Sequence, residues 1–278
     1  MTPSAAQTSP PIGLIIIGDE ILSGKRTDKH LPKFIELLSE RGLQLAWAEY
    51  VGDSPERITA VLSRAFASGD VVFSCGGIGA TPDDHTRQCA AKALGLPLVL
   101  HLEAKALILE RMRDVALEQG VPYEPDRDDN VHRLNMGTIP EGASIILNPY
   151  NKIPGFTCKG QGDGMVHFVP GFPVMAWPMM QDKLDLYSQT WGAAPKRLEK
   201  SVIVFGAMEA SLTPLMESIE SHFVGIKVFS LPSVDHPQWG KHIELGVKGP
   251  VADAELAFLA LKEGLKPYNI ELGPEMVR

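Results

Sequence analysis

The alternation of short apolar runs with stretches of helical spacing, from Ile12 to Gln119, constrains this chain most. Ile12 to Ile17 is an apolar run of the kind a strand buried on both faces shows. Thr27 or Asp28 then caps a helix with Leu31, Phe34, Ile35 and Leu38 at i, i+3, i+4 and i+7. Leu43, Leu45 and Trp47 alternate as a second strand, and Ser54-Pro55 opens a helix with Ile58, Val61, Leu62 and Ala65 on one face and Gly69 past its end. Val71-Val72-Phe73 is a third strand, Asp83 and Asp84 open a third helix, Leu98-Val99-Leu100 is a short strand, and His101 to Gln119 is a long helix. Strands alternating with helices predict an α/β domain, a mostly parallel sheet covered on both sides.

Between Gly120 and Gly142 the chain turns polar and carries Pro122, Pro125 and Pro140, with at most a short helix around Asp129 to Met136, the pattern of a lid or partner-facing loop. Ser144 to Leu147 and Met165 to Val169 read as strands on either side of a Pro- and Gly-rich excursion, and Pro173 to Tyr187 returns as a helix. The pattern then changes, placing a first domain at 12–195 and a small α+β unit at 196–270. That unit reads as strand Ser201 to Phe205, helix Ser211 to His222, strands Ile226 to Leu231 and His242 to Val247, and helix Ala252 to Leu265. Residues 1–11, rich in Pro and Ser with almost nothing to bury, read as a disordered tail.

Composition excludes several classes. The run Ile12 to Ile17 is far short of the roughly 18 apolar residues of a membrane span, and Met1 to Pro11 has neither the basic start nor the apolar core of a secretory signal. Cys75, Cys89 and Cys158 cannot all pair and none stands at C-x-x-C spacing, so no disulfide framework or structural zinc is expected and the setting is a reducing cytoplasm. Lys plus Arg number 26 against 34 Asp plus Glu, a net charge of −8, which repels a polyanion. Gly246-Val247-Lys248-Gly249 spells the G-x-x-G of an RNA-binding loop but follows a strand, whereas that loop joins two helices; neither a nucleic acid nor a membrane is an expected partner.

Two loops concentrate the candidate chemistry. Ser74-Cys75-Gly76-Gly77-Ile78-Gly79-Ala80-Thr81-Pro82-Asp83-Asp84-His85-Thr86 runs from a strand end into a helix start. Its three glycines let backbone approach a ligand, and the amides of the helix start favour an anion. The ligand therefore carries phosphate or carboxylate. Asp83 and Asp84 read either as helix caps, worth about 0.3–1 kcal/mol each, or as carboxylates that hold a divalent cation against that anion. The second loop, Gly18-Asp19-Glu20-Ile21-Leu22-Ser23-Gly24-Lys25, lies at the carboxyl end of the first strand, where open α/β sheets place ligands. It is no Walker A loop, because five residues separate Gly18 from Gly24 and Arg26 stands where Ser or Thr belongs. Asp19 and Glu20 read as a solvated turn or as metal ligands, and Lys25 as a surface charge or a phosphate contact. Pro170-Gly171-Phe172-Pro173 puts a rigid turn after another strand. The histidines form no H-x-x-x-H pair, and there is no G-x-S-x-G elbow.

Taken together, Gly18-Asp19-Glu20, Val51-Gly52-Asp53 with Arg57-Ile58, Gly76 to Thr86, Pro140 to Ala143, Asn148-Pro149, Pro154-Gly155-Phe156 and Pro170 to Pro173 resemble, in order, the motifs of the MoaB/Mog molybdopterin-binding family. They are closer still to those of the N-terminal domain of the competence/damage-inducible protein A (CinA) branch. The likeness spans about Ile12 to Trp177, and Gly206 with Glu209 is similar to the G-x-x-E of a small KH-like subdomain in the same proteins. The resemblance implies a three-layer α/β/α domain, a dimeric cytoplasmic protein, and a metal-dependent pyrophosphatase acting on ADP-ribose or a related dinucleotide such as FAD. In that reading Asp84 is catalytic, Asp84 with Asp19 or Glu20 holds cobalt, magnesium or manganese, and potassium assists. Gly18, Gly24, Ser74, Gly76, Gly77, Gly79, Thr81, Asp83, Pro170 and Gly171 line the phosphate-bearing ligand. The alternative is a molybdopterin- or nucleotide-binding protein of cofactor metabolism without turnover, or one serving adenylyl transfer. The nicotinamide mononucleotide deamidase domain of longer family members is expected to be absent. Four places depart from the family pattern: Asp28-Lys29-His30 for Asp-Thr-Asn, Asn151-Lys152 for Gly-Thr, Ala80 for Pro, and Met175 for Glu. Lys29, His30 and Lys152 are expected at the ligand, where they call for a more anionic molecule than ADP-ribose or mark a rebuilt pocket.

Overall fold

The computed structural model describes residues 10–191 and 197–278, so the expected tail lies almost wholly outside the described residues, as does the expected boundary at 195. The chain divides into two units, 1–192 and 193–278.

The first unit runs β1 (Ile12–Ile17), α1 (Asp19–Leu22), α2 (His30–Ser39), β2 (Leu45–Val51), α3 (Pro55–Ser68), β3 (Val71–Cys75), α4 (Thr86–Leu94), β4 (Leu98–Leu100), α5 (Leu102–Gln119), α6 (Asp128–Leu134), β5 (Thr138–Pro140), β6 (Ser144–Ile146), β7 (Gly155–Lys159), β8 (Met165–Val169) and α7 (Pro173–Thr190). Its main sheet has the order β2-β1-β3-β8-β7-β6. The strands β2, β1, β3 and β8 are mutually parallel, and β7 runs antiparallel to both β8 and β6. Every residue of β1 is buried, because alternate side chains enter two different cores. Ile15 and Ile17 join Leu62 and Phe66 of α3 and Ala90 of α4, while Leu14 and Ile16 join Phe34 of α2 and Met180 and Leu184 of α7. The architecture is α/β/α in three layers, as expected. At the centre His167 bonds Thr157 and Tyr187 (2.8 and 2.7 Å), and burial pushes its pKa down to about 3, so it is a neutral core residue.

Three local expectations change. In α2 the inward position is Leu37, and Ile35 is half exposed; Asp28 begins the helix by accepting from the amides of His30 and Leu31, and also takes the Tyr50 hydroxyl. The third helix starts at Thr86, so Asp83 and Asp84 belong to the turn before it. The Pro- and Gly-rich excursion contains a strand of its own, β7.

The second unit runs β9 (Arg197–Phe205), α8 (Glu209–His222), β10 (Lys227–His236), β11 (Gly240–Pro250), α9 (Val251–Leu265) and β12 (Glu271–Val277), an antiparallel sheet in the order β10-β11-β9-β12. Val202, Val204, Leu245 and Val247 pack on Leu212, Phe258 and Leu261 of its two helices. Gly246 and Gly249 lie inside β11, so no helix-joining G-x-x-G loop exists there. Among the described residues no helix is long and apolar enough to cross a membrane.

Candidate functional site

The parallel strands β1 and β3 end side by side, and each hands over to a glycine. Gly76 and Gly77 take φ of 104° and 67°, and a Cβ at either would run into Ile17 backbone or the Thr86 hydroxyl, so only glycine lets the chain turn here. The Thr86 amide and hydroxyl close the loop onto the carbonyls of Gly77 and Gly76. From below, Arg87 of α4 donates through Nη1 to the carbonyls of Ile78 and of Gly79 (2.7 Å). Arg87 is 5% exposed; burial lowers its pKa and the Asp84 charge opposes that. A buried guanidinium thus holds the carbonyls on its own side of the loop.

Asp84 accepts the amide and the hydroxyl of Thr81 on one oxygen, Oδ2 (2.8 and 2.5 Å), which closes the Gly79–Asp84 turn. The capping role weighed for it is not what the structure shows, since α4 begins two residues later with no side-chain cap. Asp19 and Asp53 are bound reciprocally: Asp53 Oδ2 accepts the Asp19 amide (2.9 Å) and Asp19 Oδ1 accepts the Asp53 amide (3.1 Å). Burial raises the Asp53 pKa above the usual carboxylate range. The Asp19 amide works against this, and the charges of Asp19, Glu20 and Asp83 add to it.

These parts enclose a cleft of about 680 Å³ at the carboxyl ends of the strands. Of the residues expected there, Gly18, Glu20, Gly76, Gly77, Gly79, Thr81, Asp83, Asp84, Pro170 and Gly171 line it. Lys29 and His30 line an adjoining pocket of about 360 Å³. Four expected residues lie elsewhere. Ser74 is wholly buried within β3, Gly24 sits in an exposed turn, and the Asp19 carboxylate is turned to the Asp53 amide. Lys152 is the clearest correction: its ammonium lies 2.6 Å from both Glu110 and Asp114 of α5, so its charge is taken up there and not by a ligand. Sequence reasoning did not anticipate Arg87, Asp53, Arg26 or Phe172 at the site. Arg26 lines both the cleft and the adjoining pocket, and neither it nor Lys25 has an ion-pair partner among the described residues. Its place directly after the first glycine loop was the available signal.

The donor set bears on a metal. Among the described residues no three His, Cys, Asp or Glu side chains are grouped to hold an ion. Glu20 and Asp84 both line the cleft wall, and Thr81 occupies one Asp84 oxygen.

A largely parallel sheet whose strands end in glycine loops, over a cleft lined by Lys25 and Arg26, defines the first unit as an α/β domain with its cleft at the carboxyl ends of the strands. Residues 13–187 match the family described as a probable molybdopterin binding domain, and the chain belongs to that family. It is similar to a CinA-like protein of Syntrophotalea carbinolica, 29% identical over 95% of this chain and 61% of that protein. A protein of Pyrobaculum calidifontis is 28% identical over 91% of this chain and 94% of its own length. Among solved structures, CinA of Thermoplasma acidophilum is 27% identical with a TM-score of 0.52, covering 67% of this chain and 100% of that one. The chain spans 61% of the Syntrophotalea protein and 49% of a CinA-like protein of Mycobacterium marinum.

Proposed function

We propose that the cleft binds a phosphate-bearing pterin or nucleotide of cofactor metabolism, molybdopterin among them. The observation that carries this reading is that the glycine-loop backbone and two cations without ion-pair partners among the described residues, Lys25 and Arg26, line one cavity. The loop amides and the cations take the phosphate, while Arg87 keeps the loop in shape to receive it.

A second reading is hydrolysis of the pyrophosphate of ADP-ribose or FAD, and the placement of Glu20, Asp53, Asp83 and Asp84 on the same cleft favours it. A divalent ion held there with the phosphate supplies Lewis-acid polarisation and a more acidic water. The chain's own part is to fix the diphosphate against the loop and to keep the Asp84 carboxylate oriented through Thr81.

Calorimetry with AMP and molybdopterin, run beside incubation with ADP-ribose and FAD plus cobalt, magnesium or manganese, tests both. Saturable binding without release of AMP supports the first reading, and AMP release establishes the second. Absence of both binding and product retires the cleft as a ligand site.

A further inference from the structure

His167 stands in β8, the strand between β3 and β7, and is only 2% exposed. The Phe73 ring of β3 lies 4.8 Å from its ring and the Tyr187 ring of α7 5.5 Å. Its two nitrogens meet two hydroxyls, Thr157 Oγ1 at Nδ1 and Tyr187 Oη at Nε2. A hydroxyl both donates and accepts, so the neutral ring is satisfied on both sides, one nitrogen donating and the other accepting. An imidazolium donates from both nitrogens, and the hydroxyl that had donated must turn away.

The surroundings give the charged ring no anion. β1 carries no titratable side chain, and β3 brings only the Cys75 thiol, which burial pushes up and keeps neutral. On β7, Lys159 is exposed. From α2, Lys33 pairs with Glu36, His30 bonds the Gly171 carbonyl, and Arg41 just past the helix pairs with Asp185 of α7. On α7 itself Asp182 is exposed, and the Lys183 charge opposes a second positive charge at His167. β8 continues from His167 into the Pro170-Gly171-Phe172 turn on the cleft wall, and Pro173 opens α7. The Tyr187 bond therefore ties the far end of α7 back to the strand it follows. Ala176, Met179, Met180 and Leu184 of α7 are wholly buried on the same face, so the unit does not stand without that helix.

We propose that His167 is an acid switch of the first unit: at mildly acidic pH one proton entering its ring parts α7 from β8, unfolds the unit and takes down the cleft wall between them. Burial holds the folded pKa at about 3, against roughly 6.5 in an unfolded chain. The folded value is the lower one, so the proton favours the unfolded form. The switch is silent above the unfolded value, grows as pH falls below it, and levels off below the folded value. Between the two, one proton multiplies the unfolded-to-folded ratio by about ten for each pH unit.

Urea unfolding of the intact chain from about pH 7.5 to about pH 4.5 measures that ratio, in a Trp239→Phe background that leaves the fluorescence to Trp47, Trp177 and Trp191 of the first unit. His167→Gln, whose amide also donates at one end and accepts at the other, removes the titrating ring. Between about pH 6 and about pH 4.5 the ratio of the protein that keeps His167 is expected to rise about 25-fold more than that of His167→Gln. The other histidines and the carboxylates are common to both proteins and cancel in the comparison. A variant that is weaker at every pH but parallel to the protein with His167 overturns the switch and leaves this residue to packing alone. Where His167→Gln does not fold, the unaltered protein decides. Its His167 ¹⁵N resonances are expected to keep neutral-ring values down to the pH at which the unit unfolds, and titration of the folded ring near pH 6.5 overturns the proposal.

Discussion

Burial, with the charges of Asp19, Glu20 and Asp83 adding to it, raises the Asp53 pKa, so the folded protein holds that charge at a cost. The folded value lies above the unfolded one, so the native state favours the proton. The destabilisation is absent below the unfolded value near pH 3.9 and grows as pH rises through the folded value. Asp53→Asn keeps an acceptor for the Asp19 amide and removes the charge, so it is expected to raise Tm at pH 7 and to leave Tm unchanged near pH 3. A gain of equal size at both pH values would show that the cost of holding the Asp53 charge is not the cause. Asp84→Asn likewise keeps an acceptor for Thr81 while losing charge. If AMP is released from ADP-ribose, this variant is expected to release it roughly 10²-fold more slowly, the scale of losing one group that acts on the transition state. Its Tm should match the parent's, and undiminished turnover would leave Asp84 only as the brace of its turn. Residue types alone left capping and function open for Asp84, because the Thr81 contact that separates them depends on where α4 begins. Lys152 was misplaced for a related reason: its partners Glu110 and Asp114 stand far away in sequence on α5, and no local pattern links them.

At the scale of elements, α4 braces the glycine loop that precedes it. Arg87→Met leaves two loop carbonyls without their donor, a loss of about 1–3 kcal/mol. Since the loop is the phosphate contact, pyrophosphate affinity measured by calorimetry is expected to fall about tenfold or more. A variant with lowered Tm and unchanged pyrophosphate affinity would confine Arg87 to stability. The strands β1 and β3 were legible because burial on both faces makes them largely apolar, and α3 because Ser54, Pro55 and Gly69 mark its two ends, each in its expected role. β7 was not legible, since Gly155 to Lys159 begins on the glycine of Pro154-Gly155 and is too short and mixed to show a period. β12 was hidden by Gly273 and Pro274, which an edge strand tolerates and a central strand does not. The loops were legible as glycine-rich strand ends, but the cations and the buried arginine around them become neighbours only when β1, β3 and α4 come together.

The two units keep their hydrophobic cores in separate stretches of chain. The first has one core on each face of its six-stranded sheet, and the second has a single core on one face of its four-stranded antiparallel sheet. All residues of the cleft fall between Ile17 and Phe172, so a ligand there is linked to the folding of the first unit alone. Scanning calorimetry of the intact chain is therefore expected to show two transitions, with a calorimetric enthalpy larger than a single two-state step allows. A ligand at roughly 100 times its Kd adds about 2.7 kcal/mol to the unit that binds it. For a unit of this size that corresponds to a rise of roughly 5–11 °C in one midpoint, with the other left in place. The fluorescence of Trp239 belongs to the second unit, while Trp47, Trp177 and Trp191 belong to the first, so Trp239→Phe is expected to silence the unmoved transition and preserve the moved one. A single transition that shifts as a whole on adding AMP would show that the two units unfold as one.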